Sequence, residues 1–200
     1  GWYMVKSGLT EGTDVSHYRL SLHLTLAFII FILLFWNYLK YRNKVIINSY
    51  KKFPAFLLFI FLFLIILQIS IGAFVSGLDA GQIYQTWPLM NNNYFPGDSS
   101  LKDFYSLDFL ENPSMVQFIH RNMAYFIFIF FLFIVWKMIK NNSFQYLKNI
   151  MFLIFFSLTL QIFLGILTIL SGAQIVLASL HQVGSILLIT TTVILIYKNS

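Results

Sequence analysis

The sequence predicts an all-α protein, a polytopic bundle of transmembrane helices with five spans in this chain. Three observations predict it: long runs carry no charge, the charges that exist are sorted between alternate loops, and part of the pattern is repeated along the chain. Of 200 residues, 58% are hydrophobic and 10% charged, and the mean hydropathy is +0.77. These values lie outside the balance of a soluble domain.

The first span is predicted over 20–39, where 20 uncharged residues separate Arg19 from Lys40. At about 1.5 Å per residue such a helix crosses about 30 Å of hydrocarbon. The second, 54–77, opens with Pro54, where a missing N–H costs a helix least. The third, 114–136, begins beside Pro113 and is interrupted only by His120 and Arg121. From Asn149 to Tyr197 there is no formal charge, room for two spans over 149–171 and 175–197. Ser171-Gly172-Ala173-Gln174 marks the break between them. Residues 78–113 form a long loop.

Charge orients these spans. Lys40, Arg42, Lys44, Lys51 and Lys52 follow the first, Lys137, Lys140 and Lys148 follow the third, and Lys198 ends the chain. All seven acids, Glu11, Asp14, Asp79, Asp98, Asp103, Asp108 and Glu111, occupy the alternate loops. By the positive-inside rule the basic loops face the cytoplasm or matrix and the acidic loop faces outward. The net charge of +6 is therefore a topology signal and not a nucleic-acid footprint. Cysteine is absent, which removes disulfides, thiolate metal sites and thioether attachment of a heme.

The chain also echoes itself. Gly165, Ser171-Gly172 and Ser179-Leu180-His181 recur in order as Gly1, Ser7-Gly8 and Ser21-Leu22-His23. On this reading residues 1–8 are the outer tail of a truncated helix. Residues 1–40 then end one half of a duplicated bundle, and 53–197 form a second, four-helix half. A further echo, Leu67-Gln68-Ile69 with Gly72 and Leu160-Gln161-Ile162 with Gly165, reads as helix packing by small and amide residues.

His23, His120 and His181 all lie just inside the outer ends of alternate spans. Ionisable side chains inside a bilayer usually face a bundle interior and serve a ligand, a proton path or a partner. With no cysteine and no carboxylate at that depth, a zinc or hard-metal site lacks its other ligands. Two neutral imidazoles facing across a bundle suit the axial positions of a heme iron. Gly184, one turn beyond His181, would let a flat macrocycle approach the backbone. Gln117 and Arg121 share a face with His120, and the Arg121 fork suits a heme propionate. His17, in the loop before the first span, reads as a surface residue.

These residues resemble the heme A synthase family. The resemblance rests on Gly1-Trp2-Tyr3-Met4-Val5-Lys6-Ser7-Gly8-Leu9, Val15-Ser16, Tyr18-Arg19-Leu20 leading to His23, and the run Gly72 to Gly81. It continues through Thr86-Trp87-Pro88-Leu89-Met90, Glu111-Asn112, Gln117 to Arg121 and His181-Gln182, and so covers nearly the whole chain. It implies eight spans in two four-helix halves, and oxidation of the C8 methyl of heme O to the formyl of heme A for cytochrome oxidase. It implies His120 and His181 as axial ligands of a heme b iron, and His23 as one ligand of the substrate-heme site in the other half. Gln117 stands where that other half carries the acid of a Glu-x-x-His-Arg motif. The catalytic Glu is therefore expected upstream of this chain, which alone should not make heme A.

Asp79, Trp87 and Pro88 match a loop motif near the outer heme face, where they would either fold the loop or touch substrate. The cysteine pair carried by some members is missing, and His17 stands where the family usually has Pro. The implied partners are membrane lipid, heme O synthase, an electron donor such as ferredoxin, and a second copy of the chain. The implied location is a bacterial plasma membrane, or alternatively the mitochondrial inner membrane. The same histidines would also serve a cytochrome-b-like bis-histidine electron carrier. A transporter, which would also use duplicated halves, lacks an intramembrane acid or a broken central helix.

Overall fold

A computed structural model describes residues 15–42, 52–105 and 107–200, together with Trp2 and Lys6. The truncated-helix reading of residues 1–8 therefore falls mostly outside the described residues, as do Lys44 and Lys51 of the first basic loop. Among the described residues there are five helices long and apolar enough to cross a membrane. They are α1 (His17–Arg42), α2 (Ala55–Gly77), α3 (Pro113–Lys140), α4 (Phe144–Leu170) and α5 (Ile175–Asn199). The long segment between α2 and α3 holds three short 3-10 turns, Ala80–Gln82, Leu101–Tyr105 and Leu107–Leu110.

The α3–α4 connection is shorter than the interval between the expected spans 114–136 and 149–171. α3 runs on to Lys140 and α4 starts at Phe144, leaving a three-residue turn at Asn141–Ser143 with Asn142 at φ 58°. Lysines mark where the hydrocarbon ends, whereas a helix continues until its hydrogen-bond pattern is broken. Lys137 and Lys140 reach back over the rings of Phe133 and Trp136 at 5.3 and 4.1 Å, as Lys40 does over Trp36 at 5.8 Å. These pairs form an aromatic and basic belt at one end of the molecule, here the basic end.

α2, α3, α4 and α5 close into a four-helix ring in chain order, with α5 returning to α2; α1 packs outside it against α2 and α5. The ring is tied shut at the basic end, where Phe53 N donates to Asn199 Oδ1 at 2.9 Å and Asn199 Nδ2 donates to Phe53 O at 2.8 Å. α1 is held by polar contacts as well as apolar ones. Ser21 Oγ donates to Ser70 O at 2.9 Å, and the Thr25 and Ser70 hydroxyls meet at 2.6 Å. Large apolar side chains cover the outside of the bundle: Leu22, Ile30 and Leu34 of α1, Phe63 of α2 and Phe156 of α4 are all exposed, as lipid-facing surfaces require.

The core is one-sided along the bundle axis. Within the four ring helices its buried members are Leu57 to Ile65 on α2, Ile127 to Met138 on α3, Leu147 to Leu158 on α4 and Leu188 to Ile196 on α5. Every one of these stretches lies in the half of its helix nearer the basic end. Toward the acidic end most residues of 66–77, 118–126, 162–170 and 175–184 are partly buried or exposed. The apolar core thus fills the basic end, while at the acidic end the start of α3 is buried at Ser114–Gln117 and the stretches that flank the histidines are mostly partly buried or exposed.

Candidate functional site

α3 begins where the sequence favours a helix start. Asn112 accepts from Ser114 N and Met115 N at 3.0 and 3.2 Å, with Pro113 at the first helical position, a capped N-terminus. Ser114 Oγ donates to Asp98 Oδ2 at 2.6 Å and Tyr84 OH donates to Asp98 Oδ1 at 2.8 Å. These bonds fix the long loop over the start of α3. They also place His120 two turns into the helix and Gln117 and Arg121 beneath the loop.

The structure brings His120 and His181 together. Their ring centroids are 6.5 Å apart with planes at 86°, and both Nδ1 atoms are buried without a hydrogen-bond partner. Two metal–imidazole bonds of about 2 Å each, with the ring radii added, set centroids at about 6 Å. The pair therefore suits one shared metal ion. A buried polar atom with no partner calls for an explanation such as a bound group, and here two of them belong to neighbouring rings. Among the described residues no cluster of three His, Cys, Asp or Glu side chains forms, so the donor set is two imidazoles without an acid. That set fits the iron of a heme.

His23 is not part of this arrangement. It lies exposed on α1, outside the ring.

Arg121 and Gln117 turn out to hold the loop. Arg121 donates from Nη1 to Thr86 O at 2.9 Å and Leu89 O at 3.4 Å, and from Nη2 to Tyr84 O at 2.9 Å. Gln117 Nε2 donates to the same Tyr84 O at 3.1 Å. Arg121 is only 7% exposed, its Nε has no partner, and it pairs with neutral carbonyls. A buried cation without a counter-charge is costly and suits an anionic group.

Trp87 donates from Nε1 to Tyr125 OH at 2.8 Å, and Pro88 is exposed beside it. Tyr125 lines an open apolar crevice between α3 and α4, with Phe128, Ile129, Thr159 and Ile162. Asp79 sits at φ 50° at the start of the Ala80–Gln82 turn, and its side chain makes no capping hydrogen bond there. Its observed role is in the backbone of the turn.

Two sequence readings change. His17 is no mere surface residue: its side chain is 14% exposed and its Nε2 lies 3.3 Å from Glu111 Oε2. Its ring packs on Tyr18 and Phe74. A side chain at Gly77 would collide with His17, at 2.7 Å from its Cβ, so Gly77 allows α1 to dock on the end of α2. The space over Gly184 is filled by the amide of Gln161.

The glycines of the internal echo, which the sequence suggests only as helix-packing residues, lie against the two histidines. A Cβ at Gly72 would stand 3.1 Å from His120 Cε1, and one at Gly165 would stand 3.2 Å from His181 Cε1. Gln68, one turn from Gly72, donates from Nε2 to His120 O at 3.0 Å and lies 3.4 Å from His120 Nε2. The repeated spacing was visible, but only the assembled ring shows what rests on it.

Fold and site together define a polytopic membrane protein that gathers a histidine pair at one end of a four-helix ring. The comparisons say which one. A model of the cytochrome oxidase assembly protein family matches residues 1–193, and the chain belongs to that family. It is 48% identical over 210 residues to the heme A synthase of Pelagibacter ubique, covering 100% of this chain and 58% of that protein. It is 39% identical to the heme A synthase of Rickettsia felis, covering 95% and 57%, and 38% identical to that of Flavobacterium psychrophilum, covering 100% and 59%. The chain thus spans a little under three-fifths of the length of these relatives. No solved structure matches it.

Proposed function

We propose that this chain carries the heme b site of a heme A synthase, an oxidoreductase that converts the C8 methyl of substrate heme O to the formyl of heme A. The observation that supports this most is the His120–His181 pair, 6.5 Å apart with both Nδ1 atoms unpartnered. His120 and His181 would hold the iron, and Arg121 would meet a propionate with the charge that the protein leaves uncompensated. When bound, the heme would supply reversible one-electron transfer. The chain's own residues orient the imidazoles, tie the Tyr84–Leu89 loop to α3 through Gln117 and Arg121, and among the described residues place no acid beside the pair to move protons. That donor set suits electron relay in this half, with oxidation of heme O expected at the site to which His23 belongs.

On this reading His23 is one ligand of the substrate site, and Asp79, Trp87 and Pro88 belong to the loop near the outer heme face. An electron donor such as ferredoxin and the heme O synthase are the partners it calls for, with the plasma membrane as its location. The loaded chain should show a low-spin bis-imidazole absorption spectrum, which His120→Ala or His181→Ala should abolish. An unchanged spectrum in either variant refutes the ligand assignment. In cells that accumulate heme O, the whole protein should yield heme A. Recovery of heme b alone from correctly folded protein would favour the cytochrome-b-like electron carrier, which the acid-free pair also suits.

A further inference from the structure

We propose that Gly72 and Gly165, with Gln68 and Gln161 one turn away, are positioning residues that set the orientation of the His120 and His181 imidazoles. This inference rests on the heme reading of the histidine pair.

Each histidine leaves one helix and rests on the helix before it. His120 of α3 lies on α2 at Gly72 and His181 of α5 lies on α4 at Gly165, with nearly equal clearances of 3.1 and 3.2 Å from the place a Cβ would take. These clearances are tighter than ordinary van der Waals contact, so any side chain there must displace the ring. Both contacts involve Cε1, the ring carbon between the two nitrogens. A push at that atom swings both nitrogens and changes the direction in which they point.

A glutamine lies one turn from each seat. Gln68 ties its amide to the backbone carbonyl of His120 and touches the ring at Nε2, which fixes both the helix position and the ring. Gln161 is 8% exposed, lies against Gly184 one turn beyond His181, and has an Nε2 without a hydrogen-bond partner. An unpaired amide this deep calls for a partner, and here it lies over Gly184, one turn from His181. The glycine seat is therefore built twice around one ring, and at the first of the two Gln68 also bonds to the histidine. Metal-ligating histidines are commonly oriented by such neighbours, whose loss costs about 10-fold to 100-fold in metal affinity.

The test loads the whole chain with heme b in detergent and reads the low-spin ferric electron paramagnetic resonance spectrum together with the rate of heme loss to an acceptor protein. Gly72→Ala and Gly165→Ala should each alter the g-value spread and speed heme loss about 10-fold or more. Gly81→Ala is the control, because its Cβ would meet Ala173 Cβ at the same 3.1 Å with no histidine atom within 4 Å; it should change neither readout. Should either glycine variant fail to fold, Gln68→Met and Gln161→Met keep the side-chain length and are expected to shift the same spectrum. Variants with wild-type spectra and retention, or an equal change in Gly81→Ala, overturn the positioning role while leaving the ligands assigned. A wild-type chain that takes up no heme overturns the heme reading and this inference with it.

Discussion

Asp98 is where the acidic loop is most closely tied to α3, accepting from Tyr84, Ser114 and Ser99. Partial burial pushes its carboxyl up, but the Ser114 and Tyr84 hydroxyls stabilise the carboxylate more, and the net shift is below the usual range. The Tyr84 phenol moves the other way, raised first by burial and then by its bond to Asp98 and that group's charge. The contribution of Asp98 is thus present above its ordinary value of about 3.9 and is lost as pH falls through the lower folded value. Tyr84 contributes below its ordinary value of about 10, and that contribution is lost as pH rises through the raised one. Melting in detergent should show wild type more stable than Asp98→Asn at neutral pH, with the gap closing as pH drops below about 4. A gap that stays constant into acid would assign the loop's stability elsewhere.

At the scale of elements, α3 is the helix on which the site depends, since it carries Gln117, His120, Arg121 and Tyr125 on consecutive turns. Its start is held by the Asn112 cap. Asn112→Ala should cost about 1 kcal/mol, read as a lower melting temperature, and should raise hydrogen exchange at Ser114 and Met115 before the rest of α3. Unchanged exchange at those two amides would show that the Asp98 bonds alone secure the helix start. The α4–α5 connection uses a different device, a tight turn with Gly172 at φ 68° and Ala173 at φ 61°. Its left-handed backbone lets the chain reverse within Ser171–Gln174 and brings Ala173 against Gly81 of the other acidic-end loop.

Across the whole molecule, the bundle divides its work between its ends. The basic end carries the apolar core and the Phe53–Asn199 clasp, and the acidic end carries the histidines beneath the loop. Asn199→Ala would strip both partners from a buried backbone N–H and C=O, each worth about 1–3 kcal/mol. It should lower the melting temperature while leaving the heme spectrum of the loaded chain as in wild type. A spectral change would show that the two ends are coupled through the ring.

The sequence by itself determined the spans, because bilayer thickness fixes how long an uncharged run must be, and it determined the shared depth of His23, His120 and His181 as counted from the ends of those runs. It also contained the Gln68–Gly72 and Gln161–Gly165 echo, though this read only as helix packing. Only the tertiary structure decided which histidines meet. Ring closure of α2 to α5 faces His120 toward His181 and leaves His23 outside, and no local pattern specifies a crossing between helices far apart in the chain. The same holds for Arg121, whose loop carbonyls lie 32 to 37 residues away, and for His17, which Glu111 and Gly77 draw into the joint between α1 and α2. Helix formation and membrane insertion follow local composition, whereas the partners of a side chain depend on how the helices pack.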